Sequence, residues 1–141
     1  MSESFSWPVR VYFEDTDAGG IVYHARYLYF LERARTEWLR KLGFNQSELK
    51  QQGVVFVVRD MQIKWMLPAL LDEELQVEVK IQKVKKASFL MEQQIQMKGQ
   101  QKLKASVTIA CLNSHTMKPL AIPENIIAAI NIEDSKGVKS E

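Results

Sequence analysis

The sequence predicts an α+β fold in which a five-stranded antiparallel sheet wraps around one long helix. Three observations carry this. Residues 27–42 repeat with helical spacing and are apolar around more than half of the circumference. Four strand-like segments follow in close succession over residues 54–113, the pattern of an antiparallel meander. One further strand precedes the helix. A sheet must cover its apolar face and a helix apolar on several sides must be enclosed, so wrapping one around the other satisfies both.

Residues 9–14 alternate, with Val9, Val11 and Phe13 opposing Arg10, Tyr12 and Glu14, which is the period of a half-buried strand. The cluster Asp15-Thr16-Asp17-Ala18-Gly19-Gly20 breaks it. In the helix, Tyr27, Leu31, Ala34, Trp38 and Leu42 form the stripe, widened by Leu28, Phe30 and Leu39. Arg40 and Lys41 suit the negative end of its dipole, and Gly43 suits the position after it. Asn45 stands three residues before Glu48, the spacing of a capping box, and opens a short second helix closed by Gly53. The four strands are expected at about 54–66, 74–85, 88–98 and 102–113. Val55, Val57, Met61, Ile63 and Trp65 share a phase in the first, and Pro68 marks its end. Leu75, Val77, Val79 and Ile81 point inward in the second, and Leu103, Ala105, Val107, Ile109 and Cys111 in the fourth. Pro123 suits the start of a short helix over residues 123–130, and the polar stretch 131–141 is expected to be a loose tail on a single domain of residues 1–130.

With 141 residues, 46% hydrophobic and 26% charged, the chain has apolar material for one core. Its net charge of +2 calls for no nucleic acid. Cys111 is the sole cysteine, so no intrachain disulfide forms, as in a reducing compartment. No apolar run is long enough to span a bilayer, and the first residues lack the basic and apolar regions of a signal peptide, so a cytoplasmic location is expected. The two histidines and the cysteine are too scattered for a zinc pattern, and there is neither a Gly-x-Ser-x-Gly elbow nor a phosphate loop. No metal or other cofactor is expected.

The informative stretch runs from Glu14 to Tyr27. Glu14, Asp15 and Asp17 crowd three carboxylates into four residues, which perturbs their ionisation or demands cationic partners. Gly19 and Gly20 let the backbone approach a ligand, and the helix then begins with free N–H groups and a positive dipole end. A carboxylate facing such N–H groups can attack a carbonyl or activate water while they hold the oxyanion. The same spacing also serves in ordinary turns, where carboxylates bond their own backbone.

The run from Phe13 to Tyr27, with Tyr29-Phe30-Leu31-Glu32-Arg33-Ala34-Arg35 after it, resembles the signature of the 4-hydroxybenzoyl-CoA thioesterase family, whose wrapped sheet and helix are the hot-dog fold. The nearer likeness is to its YbgC branch of acyl-CoA thioesterases, encoded with the Tol–Pal envelope system of Gram-negative bacteria. Phe56-Val57-Val58-Arg59, Pro68-Ala69-Leu70-Leu71-Asp72 and Met117-Lys118-Pro119 also resemble that branch, and the likeness spans about residues 7–130. It implies hydrolysis of acyl-CoA to a free acid and coenzyme A. It implies Asp17 as the catalytic carboxylate, acting as nucleophile or general base, and a backbone N–H at His24 as the oxyanion donor. Gly20, Val22, Tyr23 and Arg59 are the implied substrate-binding positions. The family's aromatic-CoA members often carry proline after the catalytic aspartate; Ala18 departs from that and points to short aliphatic acyl groups. Dimers, often joined as tetramers with sites at the dimer interface, are implied as well. The rival functions are an acyl-carrier-protein thioesterase, a hot-dog dehydratase, and a scaffold for envelope or phospholipid-synthesis proteins.

Other residues have plainer readings. The His24 ring either orients water near Asp17 or leaves its backbone to act alone. Arg35 falls in the apolar arc and needs a partner, with Asp15 and Glu32 the candidates. Arg59 either reaches a phosphate or carboxylate at a subunit interface or sits on a bulge facing solvent. Cys111 continues an apolar phase and reads as inert core. Lys80, Lys83, Lys85, Lys86, Lys98, Lys102 and Lys104 read mostly as a solvated sheet face, a few of them available to coenzyme A phosphates.

Overall fold

A computed structural model describes the backbone of residues 5–137 and the side chains of residues 5–131. The strands are β1 (Phe5–Arg10), β2 (Val54–Trp65), β3 (Glu74–Val84), β4 (Ser88–Met97) and β5 (Gln100–Asn113); the helices are α1 (Arg26–Lys41), α2 (Gln46–Gln51) and α3 (Glu124–Gly137). All five strands form one antiparallel sheet in the order β1-β3-β4-β5-β2. Its inner face and α1 share one core, in which Phe30, Leu31 and Ala34 of the helix and Leu75, Val77, Ile95, Leu103 and Val107 of the sheet are fully enclosed.

Helix α1 stops as its sequence dictates. Gly43 takes φ 102°, its N–H reaches the Arg40 carbonyl, and the Phe44 N–H reaches Leu39, which closes a Schellman motif. Asn45 caps α2 by accepting the Glu48 N–H at 2.9 Å. Leu28 departs from the expected enclosure: it stays 43% exposed, beside Tyr29 at 51%, on a side of α1 that the sheet does not cover.

Four expectations need correction. The first strand is residues 5–10, not 9–14. The chain leaves the sheet after Val11 because Asp15 closes a turn on Tyr12, and Phe13 ends up 81% exposed. The meander is β3-β4-β5 only, since β2 crosses to the far edge and pairs with β5. Reaching β3 from there means passing three strand positions, about 14 Å at ordinary spacing, and residues 66–73 supply the crossover.

Within β2, a bulge at Arg59 shifts the alternation, since Val58 pairs with Ile109 while Asp60 pairs with Thr108. Phe56 before the bulge and Met61 and Ile63 after it therefore face the core opposite Cys111, Val107 and Ala105, and Val55 and Val57 face the other way. Finally, α3 runs Glu124–Gly137, longer than the helix expected over residues 123–130; residues 138–141 lie outside the described residues.

The strand edges differ. β1 is a six-residue edge strand carrying Pro8, which has no N–H to donate. β2 is a twelve-residue edge strand, unpaired on its outer side among the described residues.

Candidate active site

The stretch between β1 and α1 folds as two consecutive turns, each closed by an aspartate. In the first, Asp15 Oδ2 accepts the Tyr12 N–H at 2.8 Å. Its Oδ1 accepts the Arg26 Nε at 2.6 Å, and Arg26 Nη2 also reaches Glu14 at 3.0 Å. Asp15 is buried, so its charge requires this partner. The hydrogen bond to Asp15 in turn raises the Arg26 pKa above its usual value, so the guanidinium stays charged. Arg26 is the partner that sequence spacing did not suggest, because it lies eleven residues on at the start of α1.

In the second turn, Asp17 Oδ1 accepts the Gly19 N–H at 2.8 Å and the Asp17 carbonyl accepts the Gly20 N–H at 3.0 Å. The Asp17 N–H donates to Ile21, and Thr16 bridges Val22, so the turn closes as a miniature hairpin. Gly20 adopts φ 81°, a conformation that excludes ordinary side chains at little cost only to glycine. A Cβ on Gly19 would lie 3.3 Å from Asp17 Oδ1, so glycine there leaves room for the carboxylate. Asp17 is exposed and has no cationic partner among the described residues.

The hairpin leads straight into α1. Ala25 occupies the N-cap with no side chain to cap the helix. The His24 N–H makes no hydrogen bond among the described residues, whereas the Tyr23 and Arg26 N–H groups are taken by Asp15 and Tyr23 carbonyls. The His24 ring packs against Tyr23, 4.5 Å between centroids, and makes no hydrogen bond to Asp17. The structure thus brings Asp17, Gly20, Tyr23 and His24 onto one short exposed segment. Val22 belongs to that segment in sequence but not at its surface. It is buried, its side chain is in the core and its N–H is bound to the Ala69 carbonyl, so it anchors the loop and offers no side chain to a ligand. Arg59 is exposed at the β2 bulge, on the opposite edge of the sheet from β1.

The crossover 66–73 supports the loop from below. The Ala69 carbonyl holds the Val22 N–H, Leu70 bridges Ile21, and the Ala69 N–H donates to the Tyr27 hydroxyl at 3.0 Å. Burial raises the Tyr27 pKa, and the nearby Glu73 and Asp17 carboxylates raise it further against the lowering contact with Ala69. Lys102, expected on the solvated face, is instead buried, 4% exposed, with Nζ donating to the Pro68 carbonyl at 3.1 Å and lying 3.6 Å from Glu73. Sequence alternation placed Lys102 outward; the crossover that covers it is distant in sequence.

Arg35 is not paired with Asp15. It donates to Gln93 Oε1 at 2.9 Å, and Gln93, fully buried, donates to the Leu31 carbonyl at 3.1 Å. Burial lowers the Arg35 pKa and Glu32 partly restores it. Arg35 and Glu32 stand at the wall of an apolar cavity of about 310 Å³ lined by Trp38, Leu39, Phe56, Phe89, Met91 and Ile109. Cys111 is fully buried and its thiol is pushed up to about 11, which suits an inert core residue. No helix among the described residues is long and apolar enough to cross a membrane.

The family profile of the thioesterase-like superfamily matches residues 11–130. The acyl-CoA thioesterase YbgC of Haemophilus influenzae is 48% identical over 93% of this chain and 97% of its own. The acyl-CoA thioester hydrolase YbgC of Escherichia coli O157:H7 is 46% identical over 88% of this chain and 93% of its own. Among solved structures, a probable thioesterase from Bartonella henselae superposes with a TM-score of 0.82 at 40% identity, covering 86% of this chain and all of that one.

Proposed function

Because the chain belongs to the thioesterase-like superfamily, among its YbgC acyl-CoA thioesterases, we propose that Asp17 is the group that opens the thioester of an acyl-CoA. The observation that carries this is the contrast within the Asp-x-Asp pair. Asp15 is buried and spent on Arg26, while Asp17 is exposed, without a cationic partner among the described residues, and on the hairpin that leads into an uncapped helix start.

A carboxylate oxygen of Asp17 attacks the thioester carbon, coenzyme A leaves as thiolate, and water hydrolyses the resulting mixed anhydride. In the alternative, Asp17 takes a proton from a water that attacks the same carbon. Both routes give one carboxylic acid and one free coenzyme A, and both pass through an oxyanion. The unengaged His24 N–H at the positive end of α1 is the proposed donor to it. On this reading the His24 ring does not touch the reacting atoms, and its packing on Tyr23 fixes the backbone.

The acyl group is proposed to be a short aliphatic chain, supported by Ala18 in place of proline. A homodimer is proposed through the β2 edge, since β1 is short and carries Pro8 whereas β2 presents the long open edge. Pairing there brings a second copy beside the exposed Val58 and Arg59.

The test is hydrolysis of an acyl-CoA series from acetyl to palmitoyl, with 4-hydroxybenzoyl-CoA included, read as released thiol, beside Asp17→Asn. Turnover abolished by that substitution supports the reading. No turnover on any member by the folded protein would move the assignment to acyl-carrier-protein thioesters or to a scaffold role.

A further inference from the structure

The site loop rests on a layer of polar contacts that the turn geometry alone does not require. The crossover 66–73 touches the loop twice, through Ala69 to Val22 and through Leu70 to Ile21. It touches α1 once, through the Ala69 N–H to the Tyr27 hydroxyl. The crossover is itself pinned by buried charge. Glu73 Oε1 accepts the Leu70 N–H at 2.9 Å, Lys102 Nζ binds the Pro68 carbonyl, and the two charges lie 3.6 Å apart. The Lys102 and Glu73 side chains are only 5% and 15% exposed. Burying a lysine is unfavourable without such partners, and an apolar residue would fill the same space more cheaply. The pair therefore has a use beyond packing.

We propose that Tyr27, Glu73 and Lys102 are positioning residues, which hold the Asp17 loop in register with the N-terminus of α1 by way of the crossover. Tyr27 joins helix to crossover, and the ion pair keeps Pro68 to Leu70 at the height where Ala69 and Leu70 meet the loop. A displacement of the carboxylate by a fraction of an ångström from the oxyanion donor slows the chemistry without weakening binding of the nucleotide part of the substrate.

This inference rests on Asp17 as the reacting group, and the experiment separates the two. Steady-state kcat and KM for hydrolysis, and thermal stability, are measured for Tyr27→Phe, Glu73→Gln, Lys102→Met, the Lys102→Met/Glu73→Gln double variant and Asp17→Asn. Tyr27→Phe keeps the buried ring and is expected to lower kcat about tenfold with KM within about twofold. Lys102→Met and Glu73→Gln each leave one charge of the pair without its partner and free the crossover to shift, so each is expected to lower kcat about three- to tenfold with KM within about twofold. The double variant, which strands neither charge, is expected to recover part of that loss. Should Lys102→Met fail to fold, Glu73→Gln alone decides, by the same fall in kcat at unchanged KM. An unchanged kcat in Tyr27→Phe, or kcat values equal to the parent's in all of these variants while only thermal stability falls, would overturn the positioning role. Retained turnover in Asp17→Asn would instead remove the premise about Asp17.

Discussion

The turn at residues 12–15 and the turn at residues 17–20 use the same device, an aspartate oxygen accepting a nearby backbone N–H, at 2.8 Å in both. They differ in what holds the other oxygen. Asp15 gives its second oxygen to Arg26 and is sealed from solvent; Asp17 keeps its second oxygen open. The difference teaches that surroundings decide whether a carboxylate is locked into the architecture or left open, even when a single residue separates the two.

The contrast can be broken by exchanging one group at a time. Asp17→Asn is expected to lower hydrolysis about a hundredfold or more, with the melting temperature unchanged to within about 2 °C, since only the Gly19 contact is touched. Asp15→Asn should do the reverse: it removes the buried charge that Arg26 holds, leaves the guanidinium to Glu14 alone, and lowers the urea midpoint of unfolding. Any remaining folded protein should still turn over.

Gly19→Ala sharpens the contrast from the side of the second turn. Its methyl presses on Asp17 Oδ1 from 3.3 Å, and kcat should fall by about three- to tenfold. Gly20→Ala meets open space but must hold φ 81°, so it is expected to cost about 1 kcal/mol of stability. The smallest effect concerns Cys111, a buried group whose thiol is raised by that burial to about 11 from 9.0. The folded state keeps that proton to higher pH than the unfolded state does. Stability therefore carries no penalty below pH 9 and falls as pH rises from 9 toward 11. At pH 8, iodoacetamide should label Cys111 slowly in the native protein and quickly in denaturant.

Much of this was legible in the chain. Gly43 and Asn45 announce the helix ends they make, and β5 keeps the alternation of Leu103, Ala105, Val107, Ile109 and Cys111 unbroken. Local rules suffice there because the partners are local. The Asp17 loop was visible through its resemblance to a family motif more than through its spacing, which Asp15 shares. What stayed hidden depends on partners distant in sequence. The bulge at Arg59 reversed the faces of Val55 and Val57, and only the register with β5 reveals it. Lys102 reads as surface until the crossover lies over it, and Arg35 finds Gln93 fifty-eight residues away.

The crossover also sets when this protein begins to work. Residues 16–22 have no seat until residues 69 and 70 exist to receive them, and β1, which delivers them, pairs with β3, as far on as Val79 opposite Phe5. During synthesis the first strand and the acidic loop emerge early and must wait, unpaired, until the crossover and β3 have followed. Such long-range pairing forms late and slowly. A nascent or prematurely ended chain thus displays the whole Asp-Thr-Asp-Ala-Gly-Gly run yet holds no formed site, and competence to cleave a thioester arises only as the sheet closes.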